Sequence, residues 1–171
     1  MDVRSALKGQ YRSALAMLRD AIERCPDELW VSGEHPRNVW LIAYHALFFA
    51  HFYMMPSDAD FVPWAQHREQ ANFLEELPWP PHGMPEVADP YTQAELAAYA
   101  RELDAMVDAG IDRLDLDAET CGFWWYKMPK LDHVILSIRH VQDHAGQLAE
   151  LVRPTAGDVE WVGTVQGDAR S

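Results

Sequence analysis

Two histidines set four residues apart, His140 and His144 in the run HVQDHAGQL, are the residues of this chain best suited to chemistry. On a helix that step is one turn, about 6 Å along the axis, and it returns nearly to the same face. Two imidazoles so placed can converge on one divalent cation, whose bonds to nitrogen are about 2.0–2.1 Å for zinc. His133 falls on the same stripe, because steps of seven and eleven residues each return to within roughly 20° of the start. It is nearly two turns from His140, too far for the same ion, and at the start of its helix it reads as a surface residue. The apolar neighbours Ile138 and Val141 turn the stripe inward. A lone inward histidine is ordinarily a hydrogen-bonded core residue, whereas two in register are costly to bury without a shared partner.

A pair needs a third ligand. The run WLIAYHALFFAHFY offers His45 and His51. His45 shares a face with Leu41, Phe48 and Phe52 and sits near mid-helix, as His140 does. His51 lies about 120° further round and points elsewhere. His35, His67 and His82 fall in proline-rich connections and read as loop or surface residues. Two familiar helical metal patterns are absent. HExxH fails because Val141, Gln142 and Asp143 separate the histidines, and the Glu-x-x-His repeat of di-iron bundles does not occur.

The elements that must position these residues are helical. Leu7, Tyr11, Ala14, Leu18, Ala21 and Ile22 recur at three- and four-residue steps and predict a first helix over 3–25, stopped by Pro26. A second covers about 37–54, with Pro36 suited to its first turn. Residues 56–91 are crowded with prolines, Pro78, Pro80 and Pro81 among them, and hold Trp64 and Trp79. They predict an ordered connection packed on the body, with a short helix in AQHREQANFLEEL. Thr92 and Glu95 form a capping box that starts the third helix, about 92–112. The fourth covers about 130–152. The tail after Pro154, with Trp161 between valines, predicts a strand-like segment or a cover for one end. Four helices with little strand signal elsewhere make an all-α, four-helix bundle in a single domain, 1–171. The long second connection lets the second and third helices run the same way.

The whole-chain numbers narrow the function classes. A net charge of −13 repels phosphate backbones and argues against nucleic acid. No run reaches the length of a membrane span, and MDVRSALKGQYR lacks the order of a secretory signal, so the expectation is a cytoplasmic protein. Cys25 and Cys121 form no CxxC and read as buried thiols in a reducing compartment. Asp143 is about 100° off the histidine stripe and reads as solvated or as a support for a ligand. Gly146 lowers helix stability by about 1 kcal/mol relative to Ala, which a close backbone approach would explain. Tyr44, Trp124, Trp125 and Tyr126 are pocket candidates, though aromatic residues near a bundle end are more often core.

The segment NVWLIAYHALFFAHFY and the run RHVQDHAGQLAEL, with its HxxxHxGQ pattern, together resemble the DinB-like (DinB/YfiT) superfamily of metal-dependent enzymes. The resemblance covers the order of all four helices, about residues 1–152. It implies an up-down-down-up bundle, a homodimer, and a three-histidine site that falls on His45, His140 and His144. The implied cofactor is a divalent ion, with zinc, nickel and iron all suited to imidazole. The implied activity is S-transfer from a low-molecular-weight thiol to a small electrophile. The alternatives are metal-dependent hydrolysis and a non-catalytic, metal-stabilised bundle that binds a ligand or partner. No residue stands out as a general base.

Overall fold

The apolar steps of the first segment become α1, Val3–Arg24, whose start is fixed by the Asp2 side chain accepting from the Arg4 amide. It ends where expected. Proline forces the preceding Cys25 into an extended conformation and cannot continue the hydrogen-bond ladder. A single short turn of helix, α2 (Asp27–Trp30), follows at once and seats the Trp30 indole on the Tyr91 carbonyl. A computed structural model describes residues 2–87 and 89–165 of the chain, and residues 166–171 of the expected tail lie outside them.

The second long helix, α3, spans Val39–Tyr53 and is buried nearly all round, as a helix that is apolar on every face must be. It starts two residues later than the sequence predicts, and Pro36 lies outside it. Asn38 is the reason. Its side-chain amide donates to the Gly33 carbonyl at 3.0 Å and closes the preceding turn. Thr92 and Glu95 make the predicted capping box and open α4, Gln93–Asp112. The last helix, α5, spans Lys130–Ala156, four residues beyond its predicted end. Pro154 lies inside its last turn, where it leaves the Glu150 carbonyl without a helical donor. The true stop is Gly157, at φ 78°, whose amide closes on the Arg153 carbonyl.

All regular structure among the described residues is helical, and none of these helices is long and apolar enough to cross a membrane. α1 packs on α4 and α5, and α3 packs on α5 and α4. Arg4, at the start of α1, donates to the Ile111 and Leu114 carbonyls at the end of α4, while Gln93 at the start of α4 donates to the Cys25 carbonyl. Arg113, just past α4, donates to the Met54 carbonyl just past α3. Tyr11 ties three helices at the centre: its hydroxyl donates to the Ala50 carbonyl at 2.9 Å and lies 2.7 Å from the Ser137 hydroxyl.

The long connection packs on the body, with Trp64, Ala71, Leu74 and Tyr91 buried. Its expected short helix does not form. Gln70 takes a left-handed φ of 65°, the Arg68 amide donates to the Tyr91 hydroxyl, and the Arg68 guanidinium lies 4.0 Å from the Tyr91 ring centre. These ties commit the backbone to the tyrosine instead of to a helical ladder. The tail forms no strand as far as Val165. It runs back along α1, from Glu160 beside Asp20 to the Val165 amide on the Gly9 carbonyl.

Candidate metal centre

α3 contributes His45, and α5 contributes His140 and His144 one turn apart. The Nε2 atoms of His45 and His140 are 3.1 Å apart, and those of His140 and His144 are 3.2 Å apart. Among the described residues this is the group of three metal-capable side chains that converges. Tetrahedral ligands at about 2.0–2.1 Å from zinc lie roughly 3.3 Å from one another, so the spacing suits one ion with little adjustment.

The outer nitrogens settle which way the inner ones face. His45 Nδ1 lies 2.8 Å from the Asn72 carbonyl, which can only accept. That nitrogen therefore carries the proton, and Nε2 is left with a bare lone pair. His144 Nδ1 lies 3.1 Å from the Gln147 amide oxygen, and Gln147 Nε2 donates to Asp143 Oδ2 at 2.9 Å. The carboxylate fixes the amide's orientation, the amide fixes the imidazole's tautomer, and His144 Nε2 is again an acceptor. Two lone pairs thus flank His140 Nε2, which has at most one proton to give. A cation at the centre satisfies all three at once, so the residues present fit a divalent metal.

The electrostatics agree. Burial, with the neighbouring His144 adding to it, pushes His45 down to about 3. Burial and His144 push His140 down to about 4, and burial lowers His144 as well. The trio is therefore neutral near neutral pH, the form that binds metal. The Phe49 ring is tilted against His45 at 4.7 Å between ring centres and edge-on to His140 at 5.7 Å. On the outer side His140 borders an open depression of about 610 Å³, lined also by Tyr126, Leu136, Arg139, Gln142 and Asp143.

The other singled-out residues distribute as follows. His51 is buried away from the trio and bonds the Tyr99 hydroxyl at 2.9 Å. His35 and His82 are exposed loop residues, while His67 is half-buried and 2.6 Å from the Tyr44 hydroxyl. Tyr44 is core, Trp124 is exposed, and Tyr126 reaches the depression. Both cysteines are buried and free, and burial raises the Cys25 thiol to about 11. His133 corrects the sequence reading. It is fully buried, stacked on Phe123 at 4.6 Å and edge-on to Tyr53 at 4.8 Å, with neither ring nitrogen hydrogen-bonded. The aromatic run 123–126 folds over the start of α5 and covers it. Gly146 is a second correction: it is exposed, and an added Cβ would touch nothing. Asn72 and Gln147 were assigned no role from sequence. Gln147 sits three residues beyond His144 on the same face, a readable signal. The Asn72 carbonyl comes from an irregular segment and left none.

Compared with models of known protein families, with curated proteins and with solved structures, the chain finds no match in any of the three.

Proposed function

We propose that the chain is a DinB-like enzyme, an up-down-down-up four-helix bundle that holds one divalent ion, zinc, nickel or iron, on His45, His140 and His144. The observation that carries this reading is the convergence of three Nε2 atoms, two of them stripped of protons by their outer hydrogen bonds. The bundle topology is supported by the contacts between helix ends: α1 with α4 head to tail, α3 with α4 tail to tail. A cation there would be held by three neutral imidazoles and would supply Lewis acidity, lowering the pKa of a thiol bound to it.

The reaction we infer is S-transfer from a small thiol to an electrophile. Sulfur attacks the electrophilic carbon, the thiol proton passes to solvent, and the bond to the leaving group breaks. In this scheme the Asn72 carbonyl and Gln147 hold the imidazoles in register, and the depression beside His140 admits substrate.

Elemental analysis tests the centre. Untagged protein reconstituted with Zn, Ni or Fe is expected to hold about one ion per chain, and His45→Ala, His140→Ala and His144→Ala each to hold almost none. Equal metal content in all four proteins sinks the proposal. Titrating the Co(II)-loaded protein with small thiols is expected to change its visible spectrum, and an unchanged spectrum with every thiol removes the transferase reading.

A further inference from the structure

Most basic side chains of this molecule are already engaged. Lys8 and Arg12 pair with carboxylates of α4, Arg24 with Asp20, Arg101 with Glu23, and Arg153 with Glu150. Lys130 donates its ammonium to the Pro56 carbonyl. Among the described residues Arg37, Lys127 and Arg139 have no ion pair or hydrogen bond of their side chains. Two of these border the histidine centre. Arg139 lines the depression into which His140 opens. Arg37 lines a second depression, of about 690 Å³, which shares Gln142 and Asp143 with the first and includes Gln147.

An open guanidinium is informative in a chain of net charge −13, where the overall field repels anions. Asp143, one turn beyond Arg139 on the same helix, is the natural partner for an ion pair. It forms none with Arg139, because its carboxylate is turned to the Gln147 amide and so to His144. Arg139 is thus left with a planar fork of donors, the geometry that matches a carboxylate. It lines the same depression as His140.

We propose that the site takes a small molecule bearing a carboxylate, which Arg139 holds while the reactive group reaches the three imidazoles. Arg37 extends the positive field on the other rim. The inference rests on the proposed transferase reading for the position of the reactive group, but the recognition of the anion stands apart from it.

Calorimetric titration of the Zn(II)-loaded protein with 3-mercaptopropionate and 2-mercaptoethanol tests the proposal. The anionic thiol is expected to bind about tenfold tighter or more. Arg139→Ala is expected to abolish that preference while leaving 2-mercaptoethanol unchanged, and Arg139→Lys to retain part of it. Equal affinity for the two thiols, or a preference that survives in Arg139→Ala, overturns it. Succinate titrated into the protein without added metal separates the two readings. If neither thiol engages the metal but succinate binds and Arg139→Ala abolishes the binding, the transferase reading fails and the anion site stands. If succinate binds the unsubstituted protein and Arg139→Ala alike, or binds neither, the anion site falls.

Discussion

Gln147 is the side chain whose removal separates orientation from ligation. It touches no cation in the proposed centre, yet it alone presents a side-chain acceptor to His144 Nδ1. Gln147→Ala is expected to weaken metal affinity about 10- to 100-fold, measured by competition with a chelator, without unfolding the protein. His133 carries the pH prediction. Burial, with the Lys130 charge adding to it, lowers its pKa to about 4. The unfolded chain binds that proton near 6.5, so the stability tied to the neutral ring is complete above about pH 6.5 and is lost as pH falls through about 4. Urea unfolding between pH 7.5 and 4.5 is expected to show His133→Phe flattening that decline, with no loss of stability at pH 7.5, since the variant removes two unpaired ring nitrogens. A steeper decline in the variant contradicts the assignment. At this scale the sequence was informative where helical spacing alone places a residue. His140 and His144 share a face by arithmetic, and His51 was turned away by the same arithmetic. His133 was misread because its burial comes from a loop, Phe123 to Tyr126, whose path no periodicity describes.

Helix starts proved more legible than helix ends. The Thr92 and Glu95 capping box is local chemistry and appears as read. Thr92→Ala is expected to lower stability by about 1 kcal/mol in urea unfolding, and Thr92→Ser to restore most of it. The end of α5 fell four residues beyond its expected place, because its stop is the positive-φ Gly157. The connection 56–91 was legible as ordered from its apolar content, and its internal course was not, since that course is set by Tyr91 and Trp30 across the fold. The tail makes its closest backbone approach to α1 at Gly9. A Cβ at Gly9 would lie 2.8 Å from the Thr164 hydroxyl oxygen and 3.0 Å from the Val165 carbonyl oxygen. Gly9→Ala favours α1 by up to about 1 kcal/mol in helix propensity, but it is expected to lift the tail. Faster amide exchange at Val165, with the exchange of α1 undiminished, is the expected signature; unchanged exchange at Val165 contradicts it.

At the scale of the molecule, a cation at the centre would join α3 to α5 directly, two helices otherwise held by packing and by the Tyr11 hydroxyl between Ala50 and Ser137. Any ion that binds the folded chain and not the unfolded one raises stability by mass action, about 2.7 kcal/mol at a hundredfold excess over Kd. Thermal unfolding of the protein is therefore expected to shift upward with zinc concentration, and that of His140→Ala to stay put. An equal shift in both places zinc elsewhere. The all-helical architecture was readable because each long helix declares itself by spacing or by a cap. The mutual arrangement of the helices depends on contacts such as Tyr11 with Ala50 and Ser137, which join residues far apart in the chain and carry no local mark.

The bond from His45 to residue 72 has a consequence for how this protein would respond to mutagenesis. The acceptor is a main-chain oxygen, which all twenty amino acids supply. Side-chain replacement at position 72 leaves that oxygen chemically intact, so a substitution survey would score the contact as dispensable. A change in chain length between Trp64 and Leu77 would instead carry the oxygen out of reach and release the ring. Single-residue deletions are thus the edits to which the histidine centre is exposed from this side, and a lineage could rewrite the segment letter by letter while keeping its count.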